Sequence, residues 1–177
     1  FPYTTLFRSG LLARPLSPIL LSFVAIRYET QGRTDKADRA MVLADRVSRR
    51  DSISQVWLIE RSVSKGDITT AMRHYHAAMS VNPDIMPSLI PIVAGALVYP
   101  EVRVAVRPYI VSHASWIPAL LSKAVEVSAS QDLADLVVPV ATSMTSEKYG
   151  YPKSQIIAAL LVDGKSDLAW QLAARMM

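Results

Sequence analysis

The three histidines are the side chains of this sequence best suited to proton transfer or metal binding. Residues two apart on a helix point about 200° away from each other, so His74 and His76 cannot bind one metal ion as residues three or four apart do. We expect them instead to be partly exposed residues that flank a buried Tyr75. His113 stands in a predicted loop with no acidic residue or cysteine nearby. The histidines therefore predict neither a metal site nor a catalytic site.

Other sequence patterns that mark enzymes are also missing. No Gly-x-Ser-x-Gly motif presents a serine nucleophile, the 6 glycines are not grouped in a phosphate-binding loop, and there is no cysteine. Glu60 and Glu126 are the carboxylates placed deepest in predicted helices, where a solvated helix face explains an acidic residue more often than acid catalysis does. The sequence therefore predicts a protein that is not an enzyme, with no catalytic residue, no cofactor and no metal ion.

Composition and charge favour a helical protein that does not bind nucleic acid. Hydrophobic residues make up 51% of the 177 residues and aromatic residues only 7%, which favours helices packed through small and aliphatic side chains over aromatic-rich strands. The net charge of +4 is small and spread along the chain. Arg49 and Arg50 form the only adjacent basic pair and are followed at once by Asp51, a pattern typical of the solvated end of a helix.

A glycine recurs in the same local context at an interval of 34 residues, at Gly32 and Gly66. Each is followed by a short polar step and then by small and apolar residues at helical spacing. This interval is typical of a repeated helix–turn–helix unit. We therefore predict two consecutive helical hairpins, over residues 17–50 and 51–83.

Local signals set the ends of these hairpins. Ser17 is a suitable N-cap with a proline after it, and Pro83 cannot continue the last helix. The second hairpin opens at Asp51 or Ser52, the latter with Gln55 as its partner in a capping box.

Small and aromatic residues of both hairpins stand where the tetratricopeptide-repeat family has its turn glycine, its helix-contact alanines, its intervening aromatic and its closing proline. These are Ala25, Tyr28, Gly32, Ala37 and Ala44 in the first unit, and Gly66, Asp67, Ala71, Tyr75, Ala78 and Pro83 in the second. The chain thus resembles that family over residues 17–83. It departs from the family where an early tryptophan is expected, because Trp57 is displaced by two positions. The resemblance implies an all-α, right-handed α-solenoid of antiparallel helix pairs.

After Pro83 the repeat weakens while helical patterns continue. We predict helices near 84–98, 100–111, 115–128, 130–143, 152–162 and 165–177, which makes about five irregular helix pairs in all. Within them, Pro91, Pro108 and Pro139 should kink or shorten their helices.

The ends of the chain carry a separate expectation. Residues 1–9 resemble a translated sequencing adapter and are expected not to be native, which leaves residues 10–177 as a single solenoid domain that we expect to be truncated at both ends. The longest apolar stretch, from Leu89 to Tyr99, is too short to span a membrane. We expect a bacterial protein of the cytoplasm or periplasm, and no residue decides between these compartments.

In the family that this chain resembles, the first helix of each pair lines the concave face. That placement implies a partner-binding strip formed by Ser22, Ile26, Glu29, Val56, Glu60 and Val63. Its mixture of apolar and acidic residues would suit a peptide with apolar anchors and a basic group. The alternative is that the apolar members pack beneath neighbouring repeats.

The predicted function is a non-enzymatic scaffold that binds a protein or peptide on this face. The alternative function is a helical accessory region of a larger enzyme whose catalytic domain lies elsewhere. Binding of RNA by a helical repeat would need a basic strip, and Glu29 and Glu60 argue against it.

Overall fold

The computed structural model describes residues 17–144 and 146–176, so the adapter-like segment 1–9 lies outside the described residues. Within these ranges all regular secondary structure is helical, with 10 α-helices, 4 short 3₁₀ segments and no strand. The prediction of an all-α protein is therefore confirmed for the described part of the chain.

The helices follow one another at short intervals. They are α1 (Pro18–Thr30), α2 (Thr34–Val47), α3 (Ser52–Ser64), α4 (Ile68–Val81), α5 (Met86–Gly95), α6 (Pro100–Val111), α7 (Ile117–Val127), α8 (Ser130–Val137), α9 (Gly150–Val162) and α10 (Ser166–Met176). The 3₁₀ segments are Pro83–Ile85, Ala96–Val98, Val138–Ser143 and Glu147–Tyr149. Among these residues, no single helix is both long and apolar enough to cross a membrane.

The chain divides into two compact units, one ending at Asn82 and the other beginning at Pro83. The first unit holds α1 to α4, which pack as α1 on α2, α2 on α3 and α3 on α4, with a further contact between α1 and α3. Its boundary coincides with the end of the second predicted hairpin.

The turns of the first unit explain why its helices end where they do. Gly32 and Gly66 have φ angles of 70° and 72°, a left-handed conformation that glycine adopts without a steric penalty. The next residue in each turn donates its N–H to the carbonyl five positions back, Arg33 to Tyr28 and Asp67 to Ser62, both at 2.9 Å. Both turns therefore satisfy helix-end carbonyls in the same way.

Alanines form the contact surfaces between the helices of the first unit. Ala25, Ala37 and Ala44 are fully buried, and Ala71 and Ala78 are nearly so. Small side chains at these points let the helix axes approach closely, while larger residues fill the remaining space. The filling residues Met41 and Leu58 form a core cluster with Ala25 and Ala37.

The start of α3 differs from the expected capping box. The N-cap is Asp51, whose carboxylate accepts the N–H of Ser54 at 3.0 Å. Gln55 does not return to the helix start, because its side chain is buried and bonded to other helices. The capping-box prediction for Ser52 and Gln55 was therefore wrong.

The second unit combines contacts between alternate and consecutive helices. In chain order, α5 contacts α7, α7 contacts α9 and α6 contacts α8, while α9 contacts both α8 and α10. Trp116, Leu120 and Tyr149 are among its fully buried side chains. The buried guanidinium of Arg103 in α6 donates to Leu97 O at 2.6 Å and to Asp132 Oδ1 in α8 at 2.7 Å, which ties these elements together.

The prolines of the second unit affect their helices as expected only in part. Pro139 falls in the 3₁₀ segment into which α8 passes after Val137, so that α-helix is shortened. Pro91 and Pro108 both lie inside α-helices, and α5 changes to 3₁₀ geometry at Ala96.

Candidate functional site

The strongest candidate site lies on the first unit, where α1 and α3 lie side by side. Near the start of each helix, Ser22 Oγ donates to Asp51 Oδ2 at 2.7 Å. Near the end of each helix, Arg61 Nη2 lies 3.3 Å from Glu29 Oε2. Because the early residues pair with each other and the late residues do the same, α1 and α3 run in the same direction. We call the surface that carries Ile26, Val56 and Val63 the α1–α3 face.

Five of the six residues of the predicted strip are accessible to a partner. Ile26 and Val56 are each 38% exposed and Val63 is 49% exposed, so all three can be reached by a partner. Glu60 is exposed and Glu29 is half-buried. Ser22 is the exception, because it is fully buried and its hydroxyl is bonded to Asp51. Ser22 is therefore a structural link between the two helices and not a contact residue of the face.

A cleft of about 340 Å³ opens on this face and is lined by Glu29, Trp57, Glu60, Arg61 and Ser64. It brings together two residues of the predicted strip, Glu29 and Glu60, with three that were not part of that strip. The cleft therefore contains two carboxylates, one guanidinium, one indole and one hydroxyl.

Arg61 is held on several sides within this cleft. Its Nε donates to Asp38 Oδ1 of α2 at 2.7 Å, and its Nη2 donates to Glu29 at 3.3 Å. Its Cζ lies 5.6 Å from the centre of the Trp57 ring, within the range of a cation–π contact. The positive charge of Arg61 is therefore already matched by groups of the protein itself.

Glu60 has no such partner. Its carboxylate forms no ion pair with any side chain of residues 17–144 and 146–176, although it lies on the same cleft as Arg61. Glu60 also lies close to Tyr75. Burial raises the pKa of the Tyr75 hydroxyl, and the negative charge of Glu60 raises it further. The face thus carries an accessible and uncompensated negative charge.

Trp57 forms the wall between this cleft and the core. Its ring packs against the cluster that contains Ala25, Met41 and Leu58. Its Nε1 is buried and has no acceptor among the described residues. The pair of Trp57 and Arg61 could have been found from its spacing, because residues four apart on a helix lie on one side of it.

The histidines are placed differently from the prediction. His74 is buried, not partly exposed, and its Nδ1 lies 2.9 Å from Gln55 Oε1. Gln55 Nε2 in turn donates to Asp45 Oδ1 at 2.6 Å, so a polar chain links α4, α3 and α2. Burial lowers the pKa of His74, and the positive charge of Arg73 lowers it further. The expectation of partial exposure was therefore wrong for His74. His76 is half-buried, which agrees with the expectation.

His113 occupies the turn between α6 and α7. It has a φ angle of 57°, and its Nδ1 lies 3.4 Å from the hydroxyl of Tyr149. In the described part of the chain, no group of three His, Cys, Asp or Glu side chains is arranged to hold a metal ion.

A second cleft, of about 390 Å³, lies in the second unit beside Arg103, Arg107 and Asp135. Arg103 pairs with two carboxylates, Asp132 Oδ1 at 2.7 Å and Asp135 Oδ2 at 3.6 Å. Arg107 Nη2 donates to the backbone carbonyl of Asp135 at 2.8 Å. This cleft is roomier than the one on the α1–α3 face, but its acidic side chains have cationic neighbours.

Comparisons with protein-family models, with curated proteins and with solved structures return no match to this chain.

Proposed function

We propose that this chain is a non-enzymatic interaction module that binds a peptide or protein partner on its α1–α3 face. The observation that carries the proposal is the exposure of three aliphatic side chains, Ile26, Val56 and Val63, beside a carboxylate without a counter-ion. Exposed apolar residues that are grouped and bordered by charge are typical of protein-binding surfaces.

The spacing of these residues suits an extended or helical partner. Val56, Glu60 and Val63 are related by four and three positions on α3, so they lie along one side of that helix. Ile26 and Glu29 of the neighbouring α1 give a second row that runs in the same direction. A partner segment that lies across the two rows would contact the apolar residues of both, and a few such anchors can supply most of the binding energy.

We also propose that the helix pairs stack as a right-handed solenoid of the tetratricopeptide type, with about five pairs. Support comes from the first unit, where α1 and α3 run in the same direction and two glycine turns have the same hydrogen bonds. The buried alanines supply the close helix contacts that such stacking requires.

A peptide-display selection tests the binding function without a known partner. A library of random 16-residue peptides is selected on the wild-type chain, and enriched peptides are synthesised with a fluorescent label. Their affinities are measured by fluorescence polarisation for the wild type and for Val56→Asp. We expect Val56→Asp to weaken binding about tenfold or more, equivalent to about 1.4 kcal/mol, because a charge replaces an apolar anchor.

Val42→Asp is the matched control. Val42 lies on α2 and has the same exposed fraction, 38%, as Val56. Equal loss of affinity in both variants, or no loss in either, would contradict the proposal. The double variant Val56→Asp/Glu60→Arg should abolish binding while the helical content and melting temperature stay unchanged, and unfolding instead would argue against this face.

A further inference from the structure

We infer that the cleft on the α1–α3 face selects a cationic side chain, lysine or arginine, of the partner, and that Glu60 determines this specificity. This inference rests on the proposed function, because it names the chemistry of the segment that the face binds. It concerns the cleft lined by Glu29, Trp57, Glu60, Arg61 and Ser64.

The first step concerns the charges around the cleft. Glu29, Asp38 and Glu60 supply three carboxylates, whereas Arg61 and the exposed Lys65, which lies 3.6 Å from Asp38, supply two cations. The local charge is therefore −1, although the whole chain carries +4. An acidic site in a basic protein favours a cationic ligand group and disfavours an anionic one.

The second step is that Arg61 cannot neutralise Glu60 without losing other contacts. Its Nε is bound to Asp38 at 2.7 Å, its Nη2 is bound to Glu29, and its guanidinium lies over the Trp57 ring. These contacts fix Arg61 in a single orientation. A cation that enters the cleft can therefore pair with Glu60 without competing with Arg61.

The third step concerns the other polar groups of the cleft. Ser64 Oγ donates its proton to Arg61 O at 2.9 Å, so its lone pairs remain able to accept a hydrogen bond from an ammonium or guanidinium group. Glu60 itself lies between Val56 and Val63 along α3, both of them exposed. The partner group that fits is thus a basic side chain flanked by apolar side chains, not an isolated cation.

Parallel selections test this inference. The random 16-residue peptide library is selected on the wild type, on Glu60→Lys and on the control Glu101→Lys, which makes the same charge change at an exposed position of α6. We expect peptides enriched in lysine and arginine from the wild type and the control. Glu60→Lys should instead enrich peptides with aspartate and glutamate.

A charge exchange makes the test specific to one pair. A synthesised wild-type binder should lose about tenfold or more in affinity for Glu60→Lys, and replacing its lysine or arginine by glutamate should restore that affinity. Glu60→Gln, which keeps the shape of the side chain, should reduce the preference for basic peptides without reversing it. Circular dichroism checks that each variant keeps its helical content.

The outcomes separate the two proposals. Peptides whose binding depends on Val56 but which show no basic bias would overturn the charge selection and leave the binding function standing. Failure to obtain any peptide that depends on Val56 would overturn both. Self-association of the wild type that Val56→Asp abolishes, measured by analytical ultracentrifugation, would identify a second copy as the occupant and overturn the inference.

Discussion

Ser22 and Asp51 are joined by a hydrogen bond of 2.7 Å, and the same carboxylate oxygen also accepts the N–H of Ser54 at 3.0 Å. One side chain therefore caps α3 and fixes it against α1. Since Ser22 is fully buried, its hydroxyl would be left without an acceptor if the carboxylate were removed.

We predict that Asp51→Ala lowers the free energy of unfolding by about 2–3 kcal/mol, because it removes a helix cap and leaves a buried hydroxyl without its acceptor. Urea denaturation followed by circular dichroism measures the change. Asp67→Ala is the matched control, because Asp67 caps α4 through Thr70 N at 2.9 Å and receives no hydrogen bond from another helix. The control should cost less, and equal losses would show that the link to Ser22 contributes nothing.

The buried polar residues show where sequence reasoning fell short in this unit. The family resemblance implies a place on the concave face for Ser22, and the spacing of Ser52 and Gln55 predicts a capping box. Yet Ser22 is three residues before the buried Ala25, and Gln55 is three before the buried Leu58, so both are in register with the apolar stripes. That register was the available signal. Their partners, Asp51 and His74, depend on the tertiary arrangement and could not be read from local spacing.

The turns show what the sequence predicts well and where it stops. Gly32 and Gly66 are the turn glycines that the sequence predicts, and they have φ angles of 70° and 72°. Gly164, between α9 and α10, has the same conformation with a φ of 72°. His113 has the same type of turn, since the next residue, Ala114, donates to Tyr109 O at 3.0 Å. Without a glycine there, the sequence predicted a break between helices but not its geometry.

The residues that line the cleft were predictable only in part. The ion pairs of Arg61 reach other helices, and local spacing does not show which helices meet.

We predict that the stability of the first unit falls as the pH is lowered below neutrality, because His74 is buried in its neutral form. Its pKa in the folded state lies below the ordinary value of 6.5, mainly because burial disfavours the imidazolium. The folded state therefore binds fewer protons than the unfolded state near that pH. The stability that His74 contributes is complete above about pH 6.5 and is lost as the pH falls toward the folded-state pKa.

Hydrogen exchange of α3 and α4, measured by mass spectrometry at pH 7.5 and pH 5 with correction for the intrinsic exchange rate, tests this dependence. His74→Asn retains a donor toward Gln55 Oε1 but does not titrate, so it should show a smaller loss of protection between the two pH values. His76→Asn measures the contribution of the other histidine of α4 to the pH dependence, because burial also lowers the pKa of the half-buried His76. A loss of protection in His74→Asn as large as in the wild type would assign the pH dependence to other groups.

We predict opposite effects for the same substitution at two exposed glycines that differ in backbone conformation. A Cβ at Gly66 or at Gly95 would meet no atom within 4 Å, so neither change is limited by space. Gly66 has a φ of 72°, whereas Gly95 has an ordinary helical φ of −63° at the end of α5. Gly66→Ala should therefore lower the free energy of unfolding by about 1 kcal/mol, because alanine is strained in the left-handed conformation. Gly95→Ala should raise it by about 0.5–1 kcal/mol, because alanine reduces the chain entropy of the unfolded state.

Urea denaturation of both variants measures these changes. Gly32→Ala should match Gly66→Ala, because its turn has the same φ and hydrogen bonds. A stabilising effect of Gly66→Ala would mean that this turn is not left-handed, which would remove the main evidence that the two hairpins are copies of one unit.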